Sequence, residues 1–355
     1  MKYKKNIGGE MEVSLNDFGK VSKNNVWPDF NSRPHIKCDT GRSALSLALA
    51  EWKKSSNGHV WIPEYVCPSM IFTISALGIP FKFYQDLPGA ANFFAPPKPE
   101  ANDLVIFIHY FGKVNNNVLQ WVSTQINRDW FLLEDCVQSA YSLGVGSYGD
   151  YAIFSLRKWW NAPDGSMLVS SKVLDEPKLA PSADYITTKR LMAKIFRFAN
   201  HDENLHLDWV RHSENKLEYR EPRQCSWVSQ QLLAGIELIP NLEQRIKNWL
   251  LLQNKFATKK LRGINPLYFQ LIKGEIPLVY PVLIDHDMRD NLHQWLADHH
   301  IYCSIHWKLD TGVSIEAQKL SSKILSIPID QRYNTEDMKR VFESIVNFTR
   351  QTNYE

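Results

Sequence analysis

A lysine near the middle of the chain stands in a setting that suits covalent chemistry. In FSLRKWWNAPDGSMLVS, residues 154–170, Lys158 follows an apolar run and precedes Trp159, Trp160 and the turn Asp164–Gly165. A lysine amine becomes a nucleophile toward carbonyl groups when apolar surroundings favour its uncharged form. A lone lysine is more often a solvated surface charge, so the residue needs support from the rest of the chain.

A turn of small residues could provide an anion site. TGRSAL, residues 40–45, opens a predicted helix, and the backbone N–H groups at a helix start can hold a phosphate. Arg42 and Ser43 could add side-chain donors. The alternative is an ordinary helix N-cap by Thr40, which is the simpler interpretation of this segment taken alone.

A carboxylate and an amide follow another predicted strand. EDCVQS, residues 134–139, places Asp135 at the end of the strand and Gln138 three residues later. A capped turn would account for the pair. Ser155 and Lys158 then stand at the end of the next predicted strand, so polar groups recur at successive strand ends.

The elements that must position these groups alternate along the first half of the chain. Short apolar strands are predicted at 59–63, 81–84, 104–112, 130–135, 151–156 and 166–170. Helical patterns cover 41–54 and 66–77, and the region from about 175 to 250 is mostly helical. This alternation predicts a parallel sheet covered on both faces, with ligands bound beyond the carboxyl ends of its strands.

The last third of the chain has a different pattern. After a long helix at 241–261, it has predicted strands at 280–286, 301–307 and 324–330 and helices at 289–300 and 335–351. We therefore expect two domains: a large domain over residues 1–240, and a long helix with a small C-terminal α+β domain over 241–355.

Composition narrows the class of protein. The chain has 355 residues, a net charge of +3 and five scattered cysteines with no CxxC pair. The near-neutral charge gives no basis for nucleic-acid binding. The basic N-terminus lacks the apolar core of a signal peptide, and no apolar run suits a membrane span. With these cysteines, a cytoplasmic protein is expected.

Several common motifs are missing or in the wrong place. GVGSYG, residues 144–149, fits GxGxxG, but a strand follows it where a dinucleotide site requires a helix. The adjacent pair His299–His300 cannot share a helix face as the HEXXH zinc motif requires. The chain has neither a phosphate-binding Walker sequence nor a GxSxG nucleophile turn. No metal site is expected.

Taken together, the fragments resemble one family. The chain is similar to fold-type-I pyridoxal-phosphate (PLP) enzymes, in particular the DegT–StrS sugar aminotransferases. TGRSAL resembles the family's phosphate turn, EDCVQ its EDxAQ motif, and the spacing from Lys158 to Asp164–Gly165 its lysine segment. IPEYVCPS (62–69), IHYFG (108–112) and the closing segments HWKL and ILSIPIDQRY also resemble the family, so the likeness covers nearly the whole chain.

The resemblance implies a fold and roles for particular residues. The fold would be the fold-type-I PLP-transferase architecture, an α/β fold with a mostly parallel sheet flanked by helices and a smaller C-terminal α+β lobe. Asp135 would pair with the pyridine nitrogen, and Gln138 would lie near the ring oxygen. Lys158 would bind the cofactor as an imine and then transfer protons. Residues expected at the phosphate are Gly41, Arg42, Ser43 and Ser155.

The chain also departs from the family pattern. The segment before the lysine is two residues short, so a rigid count from Phe154 reaches Trp160 instead of Lys158. Cys67 replaces the usual stacking aromatic, which leaves Tyr65 or Tyr110 to stack on the ring. The family's EGG turn is DGS here. Its GxNxR motif, which reaches a neighbouring subunit's phosphate, is replaced near that place by Arg223 and Ser226.

The resemblance implies a PLP-dependent aminotransferase that acts as a homodimer. The expected donor is an amino acid, with glutamate first, and the expected acceptor is a keto group on a nucleotide-linked sugar, as in polysaccharide biosynthesis. Trp27, Trp159, Trp160 and Trp227 are available for a dimer interface. The altered DGS turn, Cys67 and the missing GxNxR motif leave open a non-catalytic or regulatory protein of this fold. A PLP enzyme of another reaction type, such as a lyase or dehydratase, is a further alternative.

Overall fold

The computed structural model describes residues 5–23, 25–28, 33–89, 93–175, 177, 179–182, 184–200, 203–215, 221–309 and 312–351. The strands in this part of the chain are β1 (Ile7–Gly8), β2 (His35–Cys38), β3 (Val60–Pro63), β4 (Phe81–Asp86), β5 (Phe94–Ala95), β6 (Leu104–Ile108), β7 (Phe131–Asp135), β8 (Tyr151–Ser155), β9 (Ser166–Ser170), β10 (Ile264–Pro266), β11 (Val279–Ile284), β12 (Ile301–Tyr302) and β13 (Ile324–Pro328). The helices are α1 (Gly41–Lys53), α2 (Pro68–Ala76), α3 (Asn116–Ser123), α4 (Asp184–Asn200), α5 (Glu203–Asn215), α6 (Trp227–Ala234), α7 (Leu238–Thr258), α8 (His286–Asp298), α9 (Ile315–Lys323) and α10 (Thr335–Gln351).

The central element is an eight-stranded, mostly parallel sheet. Its strand order is β2-β9-β8-β7-β6-β3-β4-β5, and the run β8, β7, β6, β3, β4 is parallel throughout. Strand β9 is antiparallel to both of its neighbours. Every residue of β6, LVIFI, is buried, as is every residue of β8, YAIFS. Continuous apolar strands of this kind require cover on both faces of the sheet, and the α/β fold expected from the sequence is confirmed.

A smaller α+β unit follows helix α7. Strands β10, β11 and β13 form an antiparallel sheet, and α8 and α10 pack beside it. Three aromatic rings meet in its core: the ring of Phe256 stacks on Tyr280 at 5.6 Å and meets Phe342 edge-on at 5.1 Å. The N-terminal strand β1 pairs in parallel with β12, so the start of the chain is tied to this unit.

The structure differs from the sequence prediction in this unit, where helix α9 was not predicted. The strand predicted over 301–307 is limited to Ile301–Tyr302, and the residues after it form an irregular segment. Strand β10 was not predicted, because three residues give too short a pattern to recognise. No helix in the described residues is both long and apolar enough to span a lipid bilayer.

Candidate active site

A cavity of about 400 Å³ lies at the carboxyl ends of β7 and β8. Residues that the sequence analysis selected make up much of its lining: Gly41, Arg42, Asp135, Gln138, Ser155 and Lys158. They arrive from three places, namely the start of α1, the end of β7 and the end of β8. Parallel strands bring their carboxyl ends to one edge, which is why segments more than 100 residues apart meet here.

Lys158 belongs to a short turn, Leu156–Lys158, that follows β8 directly. The next two residues turn away from the cavity. The indole of Trp159 donates to the Val137 carbonyl at 3.1 Å, and that of Trp160 donates to the Tyr141 hydroxyl at 2.5 Å. Both tryptophans are buried in the core. The lysine at the cavity is therefore Lys158, and neither Trp159 nor Trp160 can supply interface surface.

Asp135 contributes a buried carboxylate to the cavity wall. Its Oδ1 accepts the Val137 backbone N–H at 3.0 Å, and no cationic side chain among the described residues lies within ion-pair distance. Burial raises the pKa of Asp135 to about 6, although the Val137 hydrogen bond and the nearby His109 and Lys158 act in the opposite direction. A cationic ligand group would compensate this carboxylate.

The neighbouring carboxylate, Glu134, is fully occupied inside the protein. It accepts the backbone N–H groups of Gly146, Tyr148 and Gly149 at 2.6–2.8 Å. It also lies 3.1 Å from Nε2 of His109. The glycine-rich loop that fits GxGxxG thus wraps an internal carboxylate, in place of a nucleotide phosphate. This agrees with its interpretation as a connection.

Three side chains around Glu134 have the chemistry of metal ligands, but their ligand atoms are already engaged in contacts within the protein. His109, Glu134 and Cys136 bring their ligand atoms within 4.8 Å of one another. However, Nδ1 of His109 already accepts the Asn115 backbone N–H at 3.0 Å, and its Nε2 contacts Glu134. Burial raises the pKa of the Cys136 thiol well above its ordinary value, which disfavours the thiolate that a metal requires.

The predicted phosphate turn is only partly available. Gly41 and Arg42 line the cavity at the start of α1, where the helix dipole is positive. The backbone N–H of Ser43 donates to the Thr40 hydroxyl at 3.2 Å, so the N-cap expected as the alternative is present. The hydroxyl of Ser43 donates to Asp39, and Ser43 is not part of the cavity lining.

Gln138 is held by the main chain. Its Oε1 accepts the Phe111 backbone N–H at 2.9 Å, which fixes the amide at the cavity wall.

The DGS turn has a structural role, because it joins several segments of the chain. Asp164 accepts the backbone N–H of Ser226 at 3.1 Å and the hydroxyl of Thr187 at 3.0 Å. Gly165 has a φ of 120°, which a side chain would strain.

Ser226 and Arg223 do not reach this cavity within their own chain. Ser226 caps α6, with its hydroxyl accepting the Ser229 backbone N–H at 3.3 Å. Arg223 donates to the Pro181 carbonyl at 2.9 Å. Any contact that they make with a phosphate would have to be with that of a partner subunit.

An aromatic residue that sequence reasoning did not select lines the cavity. Trp307 comes from the C-terminal unit, while Tyr65 and Tyr110 are buried behind it with ring centroids 5.5 and 6.3 Å from its ring. Neither tyrosine is part of the cavity lining, so the expectation that one of them stacks on the ring is not supported. The segment HWKL was noted in the sequence, but nothing local marks Trp307 as a wall residue.

A second cavity of about 380 Å³ adjoins the first. Four residues line both: Arg157, Lys158, Glu214 and His306. Arg157 and Glu214 are paired at 2.6 Å, and Glu214 also contacts Arg190 and Arg42. Arg190 is almost wholly buried. Glu214 therefore bridges guanidinium groups from α1, α4 and the turn after β8, and Glu10 lies within 3.7 Å of two of them, those of Arg157 and Arg190.

Comparison with known proteins reveals the fold through solved structures of low sequence identity. No protein-family profile and no curated protein sequence matches the chain. The putative sugar aminotransferase Spr1654 from Streptococcus pneumoniae, in its PLP form, has a TM-score of 0.64 and 13% identity over 96% of this chain and 97% of its own. DesI, solved with its TDP-sugar product, has a TM-score of 0.61 and 16% identity over 88% and 80%.

A third structure carries the family name suggested by the motifs. The DegT DnrJ EryC1 StrS aminotransferase from Brucella abortus has a TM-score of 0.57 and 16% identity over 88% of this chain and 85% of its own. The resemblance and the PLP-transferase architecture expected from the sequence are thus confirmed at the level of fold. The chain has the fold of the DegT-type sugar aminotransferases.

Proposed function

We propose that the protein is a PLP-dependent aminotransferase that moves an amino group from an amino acid, with glutamate as the expected donor, to a keto group on a nucleotide-linked sugar. The observation that carries the proposal is the meeting of Lys158 and Asp135 in one cavity with the start of α1. Cofactor-bound and product-bound neighbours, Spr1654 in its PLP form and DesI with a TDP-sugar, support the same chemistry.

The residues present fit the cofactor. A pyridinium nitrogen would provide the positive partner that the buried Asp135 lacks, and this would favour the ionised carboxylate. The positive end of α1, with Arg42 beside it, suits a phosphate. Bound there, PLP would supply an electron sink for carbanion chemistry.

Each residue has a defined task in this proposal. Lys158 holds the cofactor covalently and then moves the proton at the substrate carbon. Asp135 would keep the ring nitrogen of the bound cofactor protonated, and Gln138 would lie near its ring oxygen. Gly41 and Arg42, with Ser155, hold the phosphate, and Ser43 acts indirectly by fixing Asp39. Ser226 is assigned to the phosphate of a partner subunit.

The larger organisation is also a proposal. We infer a cytoplasmic homodimer, with residues 1–240 as the cofactor-binding domain and residues 241–355 as the long helix and small domain. Because α7 begins at Leu238, the proposed boundary falls within the first turn of that helix.

The visible spectrum of the purified protein tests the proposal. Addition of PLP should give a visible absorption band, and addition of glutamate should then remove it as the cofactor takes up the amino group. A band that persists with every amino acid offered would favour the non-catalytic alternative. Absence of any band would refute cofactor binding itself.

A further inference from the structure

His306 occupies an unusual position in the site. It lies in the irregular segment after β12 and lines both cavities, together with Arg157, Lys158 and Glu214. Any ligand that reaches Lys158 from either cavity must therefore enter a space that His306 helps to enclose. The first and second cavities meet at these four residues, which we call the junction.

The imidazole of His306 is fixed through one of its two nitrogens. Nδ1 lies 2.9 Å from the Ser326 hydroxyl on β13, and the ring meets Phe111 edge-on at 6.1 Å. The backbone carbonyl of His306 accepts the Tyr65 hydroxyl. Within the described residues Nε2 has no hydrogen-bond partner. One ring nitrogen is anchored and the other remains available.

The other three junction residues are less available to contact a ligand. Arg157 and Glu214 bond to each other at 2.6 Å, and Lys158 is the proposed nucleophile.

His306 is a neutral group in this setting, since burial and then the charge of Lys158 lower its pKa to about 3. A neutral imidazole offers one hydrogen-bond donor and one acceptor, and it adds no charge beside Lys158.

We propose that His306 contacts the reacting keto or amino group of the substrate through Nε2, beside Lys158. This inference rests on the proposed aminotransferase function and adds a substrate-contacting residue to it. The anchor to Ser326 sets the ring orientation, so the hydrogen bond is formed without reorganising the wall of the site.

Two amide substitutions separate the two ring nitrogens. The side chain of His306→Asn places its amide near Nδ1 and can keep the bond to Ser326. The side chain of His306→Gln reaches the position of Nε2. With PLP bound and L-glutamate as probe, we expect His306→Asn to slow the loss of the visible band by roughly a hundredfold. His306→Gln should retain at least about a tenth of the wild-type rate, with PLP affinity within about twofold for both.

The relative rates of band loss in the two variants test the proposal. If Nε2 contacts the substrate, His306→Gln is faster than His306→Asn. The reverse order would show that only the anchor to Ser326 matters, and equal rates would show that a polar group at the position of Nε2 makes no difference. Either result overturns the proposal. A wild-type protein that forms no band with PLP would instead refute the proposed function.

Chemical labelling tests His306 without turnover. Diethylpyrocarbonate acylates accessible neutral imidazoles, so His306 should be modified in the full chain, as mapped by mass spectrometry. His109 is the matched control, because both of its nitrogens are bonded and it is wholly buried. Addition of PLP and 2-oxoglutarate should reduce labelling of His306 severalfold. Labelling of His306 no faster than that of His109 would contradict an available Nε2.

Discussion

Glu134 and Asp135 are adjacent in β7, but their carboxylates lie on opposite faces of the sheet. Glu134 is surrounded by backbone N–H groups of the glycine-rich loop and by His109. Asp135 accepts one backbone N–H and faces the cavity that contains Lys158. Successive side chains of a strand alternate between faces, so one carboxylate stabilises the fold and the other is left for a ligand.

The first prediction concerns Asp135 in the cofactor-free protein. Its pKa rises from 3.8 to about 6 on folding, so the folded chain holds this proton more strongly than the unfolded chain. The resulting stability is present below about pH 4 and is lost as pH rises through 6. Asp135→Asn avoids this loss, so between pH 4 and 7 its unfolding free energy should rise by about 2 kcal/mol relative to that of the wild type.

Urea unfolding of both proteins at the two pH values measures this difference, and other titrating groups cancel in the comparison. The same variant should bind PLP more weakly and transaminate at least about a hundredfold more slowly, because the amide cannot keep the ring nitrogen protonated. Undiminished turnover would show that Asp135 only caps its turn.

The second prediction concerns Glu134. Replacement by Gln leaves an amide NH₂ facing N–H donors, and one oxygen cannot accept all four of the present hydrogen bonds. Glu134→Gln should therefore lower the unfolding free energy by about 3 kcal/mol. Glu336→Gln is the control, because Glu336 is exposed and pairs only with Lys339 at the surface. Equal effects of the two substitutions would contradict the role of Glu134.

Much of this arrangement could be predicted from the sequence. Apolar strands alternating with helices indicated the parallel sheet, and the motifs around Asp135 and Lys158 indicated the cavity. Trp160 illustrates the limit of counting: a rigid count from Phe154 selected it, yet its indole is bonded to Tyr141 in the core. Downstream spacing to Asp164–Gly165 gave the residue that does line the cavity.

The rest of the site depends on long-range contacts. Glu214, His306 and Trp307 reach the cavity from α5 and the C-terminal unit, and no local spacing connects them with Lys158. Tyr65 and Tyr110 are the sequence-based candidates for stacking because Cys67 replaces the usual aromatic, but both tyrosines are buried in the core. Trp159 is a sequence-based candidate for the dimer interface, but its side chain is wholly buried in the core.

The third prediction concerns the lysine itself. Borohydride reduction of the protein with PLP should fix the cofactor on Lys158, because this lysine lines the cavity and Trp160 faces the core. Peptide mapping should find the label on Lys158 and lose it in Lys158→Ala. Lys172→Ala, a change at an exposed lysine after β9, should keep the label. A label on any other lysine would contradict the assignment.

The last prediction is a homodimer in which each site is completed by the partner. Ser226 and Arg223 lie away from the cavity of their own chain, and Trp227 beside them is 72% exposed. This exposed aromatic makes the start of α6 a suitable interface, whereas the buried Trp159 and Trp160 are unavailable. Two-fold association is also the commonest oligomeric arrangement of soluble proteins.

Mixing two inactive variants tests shared sites. One subunit carries Lys158→Ala, and the other carries Arg223→Ala with Ser226→Ala. In a mixed dimer both defects fall in one site and the other site is intact, so random re-association should restore roughly a quarter of wild-type activity. Light scattering that shows only monomers would refute the dimer. If a dimer forms but mixing does not restore activity, the result would support the interface and contradict a role of Arg223 and Ser226 at the phosphate.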